Sequence, residues 1–315
     1  MRVIVTGAAG FVGSHLCADL LDHGDEVVGI DCFTDYYSPR RKEANVASLL
    51  TREGFSLQRV DLLSAPLTTL LENADVVYHL AGQPGVRGSW GREFDPYVHR
   101  NVLATQRLLE AARDASLWKL VYASSSSVYG NAATYPTSEQ LRPEPVSPYG
   151  VTKLAAEHLC ELYRVTAGVP TVSLRLFTVY GPRQRPDMAF YRLVDAAVSG
   201  KPFLLYGDGE QSRDFTYVDD VTTAMRQAAL SPWTGVANIG GGSRTTMNEA
   251  IETVSSLVRP VDLVRLQVQR GDVRHTAADT SVARDAFGYT PSVALATGLA
   301  AMVEAAGSVF ALDEA

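Results

Sequence analysis

Cysteine is scarce here, with three in 315 residues, and Cys17, Cys32 and Cys160 form no C-x-x-C pair. That excludes a zinc ribbon or a thioredoxin-type motif, and the odd number suits a reducing cytoplasm better than a disulfide scaffold. Six histidines make no H-x-x-x-H pattern, so nothing points to a metal. Long apolar runs are missing too. The first, Val3–Val5, meets Gly7 too early for a secretory leader, and no later run approaches the length of a membrane span. A formal net charge of −7 argues against a broad nucleic-acid footprint, so an anionic ligand needs a local arginine cluster. Lysine occurs only at Lys42, Lys119, Lys153 and Lys201. What remains, 46% hydrophobic and 20% charged, is ordinary for a globular protein, and the length suits one large or two unequal domains.

The first half alternates β-branched runs with helical patterns. Val3–Thr6, Glu26–Asp31, Leu57–Asp61, Val76–His79 and Leu120–Ser124 read as strands, with Thr171–Leu176 a sixth. Amphipathic patterns such as Phe11–Asp22 and Tyr97–Arg113 lie between them. The alternation predicts an α/β fold, a doubly wound parallel sheet of Rossmann type. After Gly181 the pattern loosens around Pro182, Pro186 and the Gly207–Gly209 turn. We expect residues 1–180 to form a dinucleotide-binding domain, with parts of 215–240 rejoining it, and 181–315 a smaller mixed α/β substrate domain.

The run Gly7-Ala8-Ala9-Gly10-Phe11-Val12-Gly13 follows the first strand and opens the first helix. Gly7 and Gly10 would let backbone approach a pyrophosphate at a helix N-terminus, and Gly13 would let helix and strand pack closely. The spacing is G-x-x-G-x-x-G, not the general G-x-G-x-x-G. Asp31 ends the second strand about 20 residues on, where a carboxylate grips the adenosine ribose and repels a 2′-phosphate. NAD is therefore favoured over NADP, with Arg40, Arg41 and Lys42 the nearby cations that could oppose this. Asp61-Leu62, after the third strand, suits adenine, and His79-Leu80-Ala81-Gly82, after the fourth, would border the nicotinamide ribose.

Tyr149 and Lys153 stand four apart in Ser-Pro-Tyr-Gly-Val-Thr-Lys. If Tyr149–Thr166 is helical, they share one face. A tyrosine of pKa near ~10 is a poor base at neutral pH, but an ammonium about 4–6 Å away would favour the phenolate by roughly 3–4 kcal/mol before desolvation. Chance alone puts a tyrosine four before one of four lysines about one time in six, so a buried tyrosine beside a surface lysine competes with a general base. The order of the surrounding motifs decides between them.

Gly7–Gly13, His79–Gly82, Ser124–Gly130 and Tyr149–Lys153, taken together, resemble the extended short-chain dehydrogenases/reductases, within the NAD-dependent epimerase/dehydratase family. The resemblance spans almost the whole chain and is closest to nucleotide-sugar 4-epimerases. It implies a catalytic hydroxyl at Ser125, with Ser126 and Ser127 beside it, and cofactor contacts from Leu80, Ala81, Gln83, Asn101, Ser124 and Phe177. It implies that Arg213 and Arg270 hold a diphosphate and that Tyr206 and Gln211 meet uridine. Thr178 stands where many UDP-glucose 4-epimerases carry Asn. With Arg185-Pro186-Asp187-Met188-Ala189 and the Gly85-Val86-Arg87 loop, it looks like the UDP-glucuronic acid 4-epimerases. A sugar carboxylate wants a hydroxyl and a guanidinium, and Thr178 with Arg185 supplies both.

The activity so implied is reversible C4 epimerisation of UDP-glucuronate to UDP-galacturonate through a 4-keto sugar, with NAD bound, Tyr149 as base and Lys153 depressing its pKa. UDP-glucose 4-epimerisation is the alternative. Decarboxylases and 4,6-dehydratases of this family usually carry an acid immediately before Val-Tyr-Gly, where this chain has Ser127. The resemblance also implies a homodimer paired through Tyr97–Arg113 and Tyr149–Thr166.

Overall fold

Short buried runs of β-branched and aliphatic residues build the centre of the protein. The computed structural model describes residues 1–269 and 271–310. Its first six strands are β1 (Arg2–Thr6), β2 (Glu26–Ile30), β3 (Phe55–Gln58), β4 (Val76–His79), β5 (Lys119–Ser125) and β6 (Thr171–Leu176). Seven follow: β7 (Val179–Tyr180), β8 (Phe203–Tyr206), β9 (Ser212–Asp214), β10 (Thr216–Tyr217), β11 (Gly235–Ile239), β12 (Arg244–Thr246) and β13 (Leu263–Leu266). Seven strands form one sheet in the order β11-β6-β5-β4-β1-β2-β3, every pair parallel. The order reverses between β1 and β4, which opens a crevice at the carboxyl ends of these strands.

Both sheet faces are buried, as a parallel sheet requires. Val3, Val5, Val76 and Val121 pack with Leu16 and Leu20 of the helix Phe11–Asp22 on one side. Ile4, Val77, Leu120 and Tyr122 pack with Leu108 and Leu109 on the other. β11 pairs with β6, Gly235 opposite Val172, and the helix Val218–Leu230 packs on Phe11–Asp22, so the chain returns to this sheet after leaving it. A third core gathers Tyr180, Phe190, Phe203, Leu205, Met247, Ile251 and Leu299. Phe11 belongs to that third core, so the first residue of the first helix links it to the helix packed on the sheet.

Two elements depart from the sequence expectation. The third strand covers Phe55–Gln58, not Leu57–Asp61, because Asp61 caps a turn: its carboxylate accepts from Leu63 N at 2.9 Å and its carbonyl from Ala65 N at 2.8 Å. The helix expected over Tyr97–Arg113 begins at Phe94 and passes through a π-helical stretch, Val98–Leu103, before Ala104–Arg113.

Candidate functional site

A cavity of about 600 Å³ runs along the sheet crevice and on to β8. Its first end is the glycine turn. Gly7 has φ +73°, and a Cβ on Gly13 would lie 2.1 Å from the Gly7 carbonyl oxygen, so the helix reaches the strand only because both are glycine. Asp31, 8% exposed, accepts from Ala9 N at 3.1 Å and Phe33 N at 2.8 Å. Of the three cations near it in sequence, Lys42 reaches it, at 3.7 Å, and also bonds Thr34 Oγ1. Arg41 instead donates to the Tyr191 hydroxyl. Asp61, Leu62, Leu80 and Ala81 line the same end.

His79 does not reach the cavity wall. Fully buried, it has a pKa lowered to about 3 by burial and by the Lys153 charge, so it is neutral. Thr6 Oγ1 lies 2.8 Å from its Nδ1 and Thr105 Oγ1 2.9 Å from its Nε2. Thr6 Oγ1 accepts from Ala81 N and Thr105 donates to the Asn101 carbonyl, which leaves Nδ1 as acceptor and Nε2 as donor. The histidine thus pins the end of β4 under the cofactor cradle.

The middle of the cavity holds Ser124, Ser125, Ser126, Tyr149 and Lys153. Tyr149 and Lys153 lie on one helix, Pro148–Ala167, started by Pro148 at its first position and by Ser147, whose hydroxyl accepts from Gly150 N at 3.1 Å. A Cβ on Gly150 would lie 2.5 Å from the Ser127 carbonyl oxygen, so this glycine lets the helix start meet the serine loop. Ser125 Oγ accepts from Ser127 N at 3.1 Å. The ring of Tyr97 meets that of Tyr149 edge-on, centroids 6.2 Å apart, while its hydroxyl holds the Pro84 and Gly85 carbonyls.

Burial raises the Tyr149 pKa, and a hydrogen bond with Ser125 and the Arg185 charge only partly oppose it. Lys153 Nζ sits 4.6 Å from the centre of the Tyr122 ring, and burial lowers its own pKa to about 8. Beneath them, Ser124 donates to Glu157 at 2.7 Å, and Arg175 donates to both Glu157 oxygens and to the Tyr129 hydroxyl, which donates to Asn238. This buried network ties the helix to β5, β6 and β11.

At the far end stand Arg87, Thr178, Arg185, Tyr206 and Gln211. The Arg87 guanidinium lies over the Tyr206 ring at 4.2 Å and pairs with Asp272 at 2.7 Å. Gln211 is less available than expected, because its amide donates to the Tyr206 carbonyl and accepts from Gly209 N. Three expected contacts stand off the cavity wall. Asn101, 1% exposed, accepts from Gln83 N and donates to the Gln83 carbonyl, so it shapes the Gln83 loop from behind. Phe177 packs on Tyr129 in a small separate core. Arg213 donates to the Ser212 and Arg274 carbonyls. Arg270 lies outside the described residues.

Tyr36, Asp187, Arg192 and Asp272, to which the sequence assigns no role of their own, also line the cavity wall. Asp187 had a visible signal, since it flanks Pro186 opposite Arg185 in the same tract. The others come from segments whose convergence no spacing announces.

The model of the NAD dependent epimerase/dehydratase family matches residues 3–240. The uncharacterised UDP-glucose epimerase YtcB of Bacillus subtilis is 44% identical over 303 residues, which cover 95% of this chain and 96% of that protein. The UDP-glucuronate 4-epimerase of Thermodesulfobacterium geofontis is 35% identical, over 94% of this chain and 93% of its own. The crystal structure of UDP-glucuronic acid 4-epimerase from Bacillus cereus, in complex with UDP-glucuronic acid and NAD, superposes with a TM-score of 0.95 at 44% identity. That match covers 98% of this chain and 100% of the other.

Proposed function

Since this chain belongs to the NAD-dependent epimerase/dehydratase family, we propose that it interconverts UDP-glucuronate and UDP-galacturonate by epimerisation at C4. The observation that carries this reading is that one cavity holds a dinucleotide cradle, the Ser125–Tyr149–Lys153 group and, beyond it, Thr178 with Arg185. The cradle fits NAD, because the glycine turn admits backbone where a pyrophosphate needs it, and the Asp31 carboxylate lining the same end would repel a 2′-phosphate. When bound, NAD takes hydride from C4 and returns it, so net redox is zero.

The chain's own groups do the rest. Tyr149 accepts the proton of the C4 hydroxyl and Ser125 shares the hydrogen bond to that oxygen. Lys153 binds the nicotinamide ribose, and its charge favours a phenolate once ligands exclude water. Thr178 and Arg185 grip the sugar carboxylate, which opposes loss of carbon dioxide from the 4-keto acid because decarboxylation must disperse that charge. Arg87 and Arg192, both over the Tyr206 ring, are the cations placed to meet the diphosphate. Turning the keto sugar over requires that UDP stay anchored while contacts to the hexose remain sparse.

We further assign two domains, 1–180 with parts of 215–240 and 181–315, and a cytoplasmic homodimer. Val98, Leu103, Val151, Leu162 and Val165 are 37–66% exposed on the two helical segments expected to pair. Residues 98 and 103 are five apart in a π-helical stretch, so they stack on one side. A monomeric mass by light scattering at micromolar concentration contradicts the dimer. No helix among the described residues is long and apolar enough to cross a membrane.

One observation favours a second reading, UDP-glucose 4-epimerisation: Arg185 already pairs with Asp187. Proton NMR of the pure protein with each sugar nucleotide separates the two. UDP-glucuronate should give its C4 epimer without carbon dioxide, faster than UDP-glucose reacts; turnover of UDP-glucose alone moves the neutral-sugar reading ahead.

A further inference from the structure

Arg185 already holds a carboxylate. Its Nε donates to Asp187 Oδ1 at 2.9 Å and its Nη2 to Asp187 Oδ2 at 3.0 Å, the two-point fork a guanidinium makes with a planar carboxylate. The two residues lie either side of Pro186, and both line the cavity. Arg185 is 19% exposed and Asp187 38%, so the pair sits at the wall and not in bulk water. Burial disfavours the Arg185 charge, but Asp187, with smaller help from Tyr36 and Tyr149, outweighs it and leaves the guanidinium firmly cationic.

Asp187 has a second donor. The Tyr36 hydroxyl, also on the cavity wall, reaches Asp187 Oδ2 at 3.4 Å. The carboxylate is therefore shared between a strong partner and a weak one, on two segments far apart in sequence. A neutral sugar entering the site meets a charge-balanced pair and disturbs nothing. A sugar carboxylate meets a cation whose charge is already answered, with a like charge beside it.

We propose that Asp187 is a specificity-determining residue: it occupies the Arg185 fork as an internal carboxylate, and a uronate binds by displacing it while Tyr36 retains it. The proposal rests on the reading of this cavity as a UDP-uronate site. Its consequence is a reduced apparent affinity for uronates alone, in proportion to the fraction of molecules whose fork is open. Arg185 thus supplies the attraction and Asp187 limits it, which keeps product release of a doubly anchored ligand from becoming slow.

Asp187→Asn removes the charge at nearly constant volume. Steady-state constants for UDP-glucuronate and UDP-glucose, measured on the NAD-loaded protein, read the effect. KM for UDP-glucuronate should fall about tenfold, as for a fork open in roughly one molecule in ten, with KM for UDP-glucose unmoved. Tyr36→Phe removes the acceptor's other partner and should raise KM for UDP-glucuronate only. An Asp187→Asn protein whose ratio of the two KM values is unchanged, or shifted toward UDP-glucose, overturns the proposal. Should that variant fail to fold, a Tyr36→Phe protein with both KM values unchanged overturns it equally. Failure of the wild type to epimerise either sugar refutes the epimerase reading itself, whereas wild-type turnover with an unmoved ratio refutes the Asp187 assignment alone.

Discussion

Lys153 is a charge set where burial disfavours it, with its pKa pushed down to about 8. The unfolded chain binds that proton up to about pH 10.4, so between these values it holds more protons than the folded state. Stability should therefore rise as pH climbs from about 8 toward 10, and below 8 the penalty is present in full. Activity should move the other way, because the neutral amine no longer favours a Tyr149 phenolate: kcat/KM should fall with an apparent pKa near 8. Lys153→Met should raise Tm and abolish most turnover, and a variant with lower Tm contradicts the assignment of a strained charge. Tyr149→Phe removes the proton acceptor at nearly constant volume. Turnover should drop by about 10²–10⁴-fold with little change in sugar-nucleotide binding, and near-normal turnover refutes Tyr149 as base.

At the scale of elements, the helix Pro148–Ala167 is held by charge as well as by its cap. Glu157 and Arg175 are 2% and 5% exposed, with Nε donating to the carboxylate at 3.2 and 3.0 Å and Nη2 donating to Oε1 as well. Burial pulls the Arg175 pKa down, yet Glu157 lifts it above the ordinary guanidinium value. Removing one partner leaves a buried charge unanswered, so Arg175→Met should cost about 3–5 kcal/mol in urea unfolding. Removing both, in Glu157→Met/Arg175→Met, should recover most of that loss. A double variant as unstable as the single one contradicts the account. The N-terminal part of this architecture was plain in sequence: Phe11–Asp22, Val76–His79 and Thr171–Leu176 coincide with the observed elements. The π-helical stretch was hidden, since i→i+5 bonding breaks the 3.6-residue period by which a helix is recognised. β3 lies earlier than the expected Leu57–Asp61, because Val60 within that span lies on the cavity wall just before the Asp61 turn.

Across the whole molecule, a net charge of −7 coexists with a cavity end carrying Arg87, Arg185 and Arg192. Two of these were legible through the tracts that surround them. Arg192 was not, because a lone arginine on the helix Ala189–Ser199 carries no signal until β8 brings Tyr206 beneath it. The motifs of the seven-stranded sheet are local, each one strand end and the turn after it, and so survive in one dimension. The far wall of the cavity is assembled from loops, and Arg213, which the resemblance assigns to the diphosphate, stands off it with its Nη1 donating to the Ser212 and Arg274 carbonyls. The central claim is that hydride leaves C4 and returns within one site. UDP-glucuronate deuterated at C4, followed by proton NMR and mass spectrometry, tests it most directly. The account predicts UDP-galacturonate that keeps its deuterium at C4 and a slowed turnover; loss of the label to solvent would contradict it.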